Sequence, residues 1–231
     1  MKRRPKIFYK YCSPARIDIL INGRIRFTQR DDLNDIHDMR PVKAFNEAGH
    51  LAERQKMAIR YPQMHNMPPI TPEEFGQTIE KTLDEALVLC LSAKWDLVPM
   101  WSYYAESHQG FAIGFDASHE YFSGTKHVEY TKQFPVLEDD FHSVFQKSPQ
   151  WRSEREWRLL RVLEADAPVE TRGRVHLYEF PANAVREVVL GVRINQCLKC
   201  QLRQIMRTEA YSHVKVFQSV RHQGKWGLAR E

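Results

Sequence analysis

The chain has 231 residues, 42% hydrophobic residues and a formal net charge of +5. This length can bury a substantial core, and we predict one domain over residues 1–231. No segment approaches the ~20 apolar residues of a membrane span, and no apolar stretch follows the basic start as in a secretory signal. We therefore predict a cytoplasmic protein without a membrane partner. The positive charge permits a nucleic-acid partner without requiring one, because Lys and Arg look spread along the chain.

The four cysteines predict free thiols. Cys12 and Cys90 stand in apolar, strand-like segments, where a thiol behaves as a small hydrophobe. Cys197 and Cys200 form a Cys-x-x-Cys pair in a helical pattern, without a second pair at zinc-site spacing. We predict no metal site from these residues.

The first thirty residues predict a strand, a short helix and a second strand. Residues 7–11 are typical of a strand, and Ser13-Pro14 is a helix start with a cap and a proline at the first position. Gly23 is predicted to end that helix. Residues 24–28 alternate polar and apolar, as in a half-buried strand.

A polar segment then departs from the predicted sheet as a helical excursion over about residues 40–85. A helix is predicted over 48–59 and a loop over 62–69. Thr71-Pro72-Glu73-Glu74 is a capping-box signature for a further helix. The apolar stripe predicted for that helix consists of Phe75, Ile79, Leu83 and Ala86.

The remaining pattern predicts an α+β domain in which strands outnumber helices. Strands are expected over 87–92 and 110–116, and between them a short helix with an aromatic and histidine stripe. The residues of this stripe are Trp101, Tyr104, Ala105 and His108. Further strands are expected near 125–131, 156–163, 175–180, 187–190 and 214–220, with helices over 136–145 and 196–206.

Tyr9, Lys10 and Tyr11 place two aromatic rings beside a cation at the end of the first predicted strand. Such a cluster can stack on a planar ring and attract a phosphate. A half-buried strand whose lysine extends to solvent is an equally good interpretation.

A polar heptapeptide, from Asp32 to Asp38, follows the second predicted strand. Its carboxylates, with Asn34 and His37, can bind a hard cation or orient a ribose. Asn and Asp are also the usual turn formers, and the segment lacks the glycine and glutamate of a calcium loop. We interpret it as a turn rather than a metal site.

Two carboxylates, Glu154 and Glu156, stand two residues apart at the start of a predicted strand. Residues at this spacing in a strand point to one face, so both side chains can reach one small ligand. Trp157 then points to the other face and can anchor the strand in the core. An exposed strand start with charges in water is the alternative interpretation.

Several standard catalytic motifs are missing from the sequence. It contains no Gly-x-Ser-x-Gly, no P-loop, no Gly-x-Gly-x-x-Gly and no His-Glu-x-x-His. Acyl transfer, phosphoryl transfer and Rossmann redox chemistry are therefore disfavoured.

Taken in chain order, these clusters resemble a bacterial family described as domain of unknown function 2971. The resemblance spans most of residues 7–191, with Leu33 and Ile36 where the family usually has Phe and Pro. The matching residues are Tyr9-Lys10-Tyr11, Gly23, Asn34-Asp35, Ser92, Met100-Trp101-Ser102, Tyr104, Ala105, His108, Gly110, Trp151, Glu154, Glu156, Trp157 and Arg158.

The order of elements also resembles the ADP-ribosyltransferase fold, more loosely. This resemblance implies a split mixed or antiparallel sheet core flanked by helices, with NAD as substrate. By this resemblance Lys10 or a neighbouring tyrosine holds NAD, and Ser92 supports the nicotinamide ribose. Glu156 is then the catalytic acid and Glu154 an accessory carboxylate. A lysine stands on the first strand where this class has Arg or His.

Further site residues follow from the two resemblances. Trp101 or Tyr104 is expected to stack on nicotinamide, with His108 nearby. The expected supporting residues are Asn34, Asp35, Trp151 and Arg158.

The leading hypothesis is an enzyme that cleaves the nicotinamide–ribose bond of NAD. It transfers ADP-ribose to a protein or nucleic acid, in a toxin or phage-defence setting, or hydrolyses NAD as a glycohydrolase. One alternative is a non-catalytic module that binds a nucleotide or a protein. The other is a metal-dependent nuclease with the ligands Asp35, Asp38, His108, Glu154 and Glu156.

Overall fold

The computed structural model describes residues 3–61, 68–137 and 141–231. Within these ranges the α-helices are α1 (Asp18–Asn22), α2 (Glu47–Arg60), α3 (Pro72–Glu85), α4 (Val98–Tyr104) and α5 (Gln196–Ile205). The strands are β1 (Ile7–Cys12), β2 (Arg24–Gln29), β3 (Val42–Lys43), β4 (Ala86–Ser92), β5 (Phe111–Asp116), β6 (Lys126–His127), β7 (Glu129–Tyr130), β8 (Val136–Leu137), β9 (Gln146–Lys147), β10 (Glu156–Val162), β11 (Glu170–Arg172), β12 (Val175–Glu179), β13 (Val185–Leu190), β14 (Lys215–Arg221) and β15 (Leu228–Arg230). None of these helices is long and apolar enough to cross a membrane.

A mixed sheet organises the α+β fold. Its main path runs β11-β12-β2-β4-β1-β5-β13-β14-β15, and β10 adds to it by pairing with β4 and β6. The pairs in this sheet are antiparallel except β13 with β14, which are parallel. Helix α5 connects these two strands, as a parallel pair requires a crossover.

The sheet splits along one side of β4. At one end of β4, β2 pairs with Leu87 and Val88; at the other end, β1 pairs through Tyr9 and Ser92. On this side no described strand pairs with residues 89–91, whereas β10 pairs with the whole of β4 on the other side. The split leaves a gap between β1 and β2.

Apolar side chains of β1 and β10 pack together on the main core face of the sheet. Phe8 and Trp157 are buried there, with ring centroids 5.4 Å apart. Phe122 contacts the same Phe8 ring edge-on. The expectation that Trp157 anchors its strand in the core is confirmed.

Local sequence signals at two helix ends are confirmed, whereas Ser13 precedes a 3₁₀ helix, Pro14–Ile17, and its side chain makes no capping hydrogen bond. Gly23 ends α1 in the left-handed conformation, with φ of 63°. Thr71 and Glu74 form the predicted capping box at the start of α3. Ala86, however, is the first residue of β4 and not part of the helical stripe.

Of two other segment predictions, one is wrong and one is confirmed only in part. The helix expected over 136–145 is wrong, because Val136–Leu137 is a strand and Phe141–Phe145 is a 3₁₀ helix; residues 138–140 lie outside the described part. The strand expected over 125–131 consists of two short strands, β6 and β7. Most of the loop expected over 62–69 also lies outside the described residues.

The predicted aromatic and histidine stripe is broken before its last member. Helix α4 ends at Tyr104, and Glu106, Ser107 and His108 have φ values of 47°, 52° and 71°. Such left-handed residues end a helical repeat. His108 is therefore not on the helix, although its ring lies parallel to that of Trp101 at 6.1 Å.

Close backbone contact explains the glycine two residues after His108. A Cβ atom at Gly110 would lie 1.9 Å from the carbonyl oxygen of Cys12. We expect Gly110→Ala to lower the free energy of unfolding by about 1–3 kcal/mol, which is the usual cost of overpacking. Gly76→Ala on α3, where a Cβ has open space, should instead gain ~0.5–1 kcal/mol. Urea unfolding of both variants measures this, and equal stability of the two would contradict it.

Candidate functional site

A cavity of about 210 Å³ lies at the gap between β1 and β2. Its walls come from distant parts of the chain: the first two strands, the turn after β2, β4, α4 and the segment that leads into β10. The charged and polar residues that line it include Lys10, Asp32, Asn34, Asp38, Tyr104, Lys147, Glu154 and Glu156.

The Lys147 ammonium group lies between three buried carboxylates. Its Nζ is 2.8 Å from Glu154 Oε2, 2.9 Å from Glu156 Oε2 and 3.3 Å from Asp38 Oδ2. All four side chains are nearly inaccessible to water. Burial alone would lower the pKa of Lys147, but the three carboxylates outweigh it and raise that pKa above its ordinary value. The lysine is therefore a permanent cation.

Arg158 is the second buried cation of the cluster. Its Nε donates to Glu156 Oε1 at 2.7 Å, and its Nη2 donates to Asp38 Oδ2 at 2.6 Å. Its Nη1 donates to the carbonyl oxygen of Val144 at 2.7 Å. Burial would raise the pKa of Glu156, but Arg158 and Lys147 hold it well below its ordinary value. Glu156 is thus a fixed anion at neutral pH.

Glu154 and Glu156 converge through a route that strand geometry does not describe. Glu154 is the last residue of a 3₁₀ helix, Pro149–Glu154, and only Glu156 belongs to β10. Arg155 between them has a left-handed backbone, with φ of 52°. Both carboxylates bind Lys147, but the prediction that they share one face of a strand is wrong.

Tyr104 joins α4 to this cluster. Its hydroxyl donates to Glu154 Oε1 at 2.6 Å, and the Asn34 side chain lines the same cavity. Burial and the Glu154 charge raise the pKa of Tyr104 above its ordinary value. The phenol therefore stays protonated, and its flat ring borders the cavity.

Lys10 is the cation contributed by β1. Its Nζ donates to the carbonyl oxygen of Cys90 at 3.1 Å, across the unpaired side of β4. The neighbouring tyrosines border the cavity, but their hydroxyls bond within the protein: Tyr9 to Glu187 and Tyr11 to the carbonyl of Lys94. Lys10 and Glu156 thus line one cavity, as the resemblance to ADP-ribosyltransferases implied.

Three of the predicted NAD-binding residues do not line this cavity. Ser92 is buried, and its Oγ donates to the carbonyl of Glu154 at 2.7 Å, so it supports the backbone of the site. Trp101 has no exposed surface to stack on a ligand, and its Nε1 donates to the carbonyl of Trp95. His108 packs against Trp101 outside the cavity.

The predicted supporting residues divide into two groups. Asn34 lines the cavity, while Arg158 lies behind it in the charge cluster. Trp151 lies under the Lys147 ammonium at 4.9 Å. Asp35 accepts from the backbone N–H of His37, as the turn interpretation predicted, and lies outside the cavity lining.

A metal ion has no evident place in this site. Among the residues that the structure describes, no group of three His, Cys, Asp or Glu side chains could hold one. The ammonium of Lys147 occupies the position between three carboxylates that a cation would take. Of the ligands expected for a nuclease, Asp35 forms a turn and His108 lies apart.

Asp38 and Lys147 were not among the residues predicted to bind NAD or to catalyse its cleavage, and Asp38 was expected only as a metal ligand of the alternative nuclease. The sequence signal for Asp38 was its acidic turn, and that for Lys147 was its position near Glu154 and Glu156. Neither signal indicates that the two side chains meet, since 109 positions separate them. The two segments are connected through the sheet, where β4 pairs with β2 on one side and with β10 on the other.

Comparisons with family models, with curated proteins and with solved structures find no match to this chain. Any functional conclusion therefore depends on the geometry of the site and on the residue patterns.

Proposed function

We propose that this protein is an NAD-consuming enzyme with an ADP-ribosyltransferase-like core, belonging to the family described as domain of unknown function 2971. The observation that carries the proposal is the meeting of Lys10, Tyr104, Glu154 and Glu156 around one cavity in a split sheet. These residues come from three separate stretches of chain.

The charges of the site suit cleavage of the nicotinamide–ribose bond. As this bond breaks, its electron pair leaves with the nicotinamide nitrogen and positive charge develops on the ribose carbon. Fixed carboxylates stabilise that charge without a proton transfer. Glu156 is held ionised by its two cations, and Glu154 lies beside it on the same lysine.

Hydrogen-bonding capacity favours Glu154 for direct contact with a ribose hydroxyl. A carboxylate has about four acceptor positions. Glu154 uses two of them, for Tyr104 and Lys147. Glu156 uses three, for Lys147 and for two nitrogens of Arg158.

The cavity fits one end of a dinucleotide. Its volume of about 210 Å³ is below the ~300–1,000 Å³ of a pocket that takes a whole drug-sized ligand. Nicotinamide and its ribose would lie inside, with Tyr104 against the ring. The diphosphate would lie at the mouth, where Lys10 offsets its charge.

The reaction ends when a nucleophile bonds to the ribose carbon and gives its proton to solvent. A side chain or nucleotide of an acceptor yields ADP-ribosylation, and water yields free ADP-ribose. Both routes release one nicotinamide per NAD consumed.

Release of nicotinamide from NAD is the test of this proposal. We expect the purified protein to release nicotinamide, and Lys10→Met to raise KM with a smaller effect on kcat, because Lys10 faces the diphosphate rather than the reacting bond. Lys6→Met, an exposed lysine just before β1, is the control. No release by the wild type, with or without a cell extract as acceptor, would overturn the proposal.

A non-catalytic nucleotide-binding module is the second candidate, and the state of Glu156 favours it. Both oxygens of this carboxylate already bind buried cations, as in a structural ion-pair network. Calorimetry distinguishes the candidates: this one expects NAD or another nucleotide to bind while no nicotinamide is released.

A further inference from the structure

The net positive charge of the chain resides in its last 36 residues. The whole chain has 34 Lys and Arg against 29 Asp and Glu. Residues 196–231 contain seven of these cations and two of the carboxylates, so residues 1–195 are neutral, with 27 of each. The apparent spread of Lys and Arg along the sequence conceals this separation, because the earlier cations are balanced by acids.

Most of these C-terminal cations are exposed and lack carboxylate partners. Of the seven, only Arg230 forms an ion pair within the described part of the chain. Arg203, Arg207, Lys215, Arg221 and Lys225 are all exposed. The earlier half of the fold differs, since Arg30, for example, binds both Glu80 and Asp84.

Helix α5 and the β14–β15 hairpin form one basic unit. Lys199 and Arg203 are four residues apart on α5, which places them on one helix face, and Arg207 lies two residues after the end of the helix. Lys199 Nζ donates to Gln218 of β14 at 2.9 Å. This contact ties the helix to the hairpin.

The hairpin turn presents an aromatic side chain among these cations. Trp226 is fully exposed, between Gly224 and Gly227 and directly after Lys225. A tryptophan left wholly in water has no role in the packing of the chain. Stacking on a base is a use for such a ring that needs no pocket, because every base presents a flat face.

We propose that residues 196–231 bind single-stranded nucleic acid, with the cations on phosphates and Trp226 stacked on a base. The combination of cations with an exposed aromatic favours this partner over a duplex, whose bases are already stacked. The surface is separate from the NAD cavity, and its test does not depend on the proposed function.

Fluorescence anisotropy with a labelled single-stranded RNA of about 16 nucleotides tests the proposal. We expect the affinity to fall with salt, and Arg221→Ala with Lys225→Ala to reduce the slope of log K against log salt by about 1.4. Trp226→Ala should weaken binding about fivefold or more. Circular dichroism verifies that these exposed substitutions leave the fold intact.

The matched control is Lys56→Ala with Lys81→Ala, which removes two exposed helical lysines elsewhere. The proposal predicts little change for this pair. It is overturned if the wild type does not bind at low salt, or if the control weakens binding as much as the hairpin variant. Equal or tighter binding of duplex, heparin or anionic vesicles, with no effect of Trp226→Ala, would also overturn it.

Discussion

Replacement of Lys147 by methionine is expected to destabilise the protein by about 3–5 kcal/mol. The substitution removes the ammonium from between Asp38, Glu154 and Glu156 and leaves three buried carboxylates with Arg158 as their remaining buried cation. Uncompensated buried charge is costly because the protein interior solvates it poorly. Urea unfolding followed by tryptophan fluorescence measures the loss.

Lys215→Met is the matched control, because Lys215 is exposed at the start of β14. Its stability should stay within about 0.5 kcal/mol of the wild type. A loss for Lys147→Met no larger than that of the control would show that the carboxylates do not depend on Lys147.

The pH dependence of this difference follows from Glu156. Its pKa in the folded protein is lowered by its two cations, so its contribution to stability is complete above its ordinary value of 4.5 and is lost as the pH falls towards the folded value. Without Lys147 the pKa of Glu156 is less depressed. The stability gap between wild type and Lys147→Met should therefore be largest above pH 4.5 and narrow below it.

Glu154→Gln is expected to lower kcat for nicotinamide release by about 10²–10³ while the fold persists. The substitution removes a charge beside the reacting carbon but keeps the size of the side chain and an acceptor for the Tyr104 hydroxyl. Lys147 keeps Asp38 and Glu156 as partners. Initial rates of nicotinamide release, with thermal unfolding of the same samples, measure both effects.

Glu164→Gln is the control for this second prediction, because Glu164 is an exposed residue paired with Lys81. It should turn over NAD like the wild type. Normal activity of Glu154→Gln would exclude Glu154 from the reaction. Glu156 is a less suitable probe, since its loss also leaves Nε of the fully buried Arg158 without its carboxylate partner.

Short-range signals made parts of the fold predictable. The end of α1 at Gly23 and the capping box of Thr71 and Glu74 depend on residues within one turn, and both are confirmed. Strand positions followed from apolar alternation, as in residues 24–28, or from a short apolar run, as in residues 87–92. The helix expected over 136–145 was wrong because apolar residues spaced like a helix also fit a strand followed by a 3₁₀ turn.

The site was predictable only in part, for a related reason. Lys10, Tyr104, Glu154 and Glu156 were selected from their patterns, and all line one cavity. Trp101 and His108 were selected on helical spacing, which the left-handed residues after Tyr104 interrupt. The role of Lys147 depends on a tertiary ion-pair network that no single stretch of sequence encodes.

A structure of the protein with a non-cleavable carbocyclic NAD tests the central claim most directly. The account predicts the nicotinamide ring against Tyr104, a ribose hydroxyl hydrogen-bonded to Glu154 or Glu156, and the diphosphate beside Lys10. Binding of the analogue at another surface, or a cleft that stays closed to it at saturating concentration, would contradict the account.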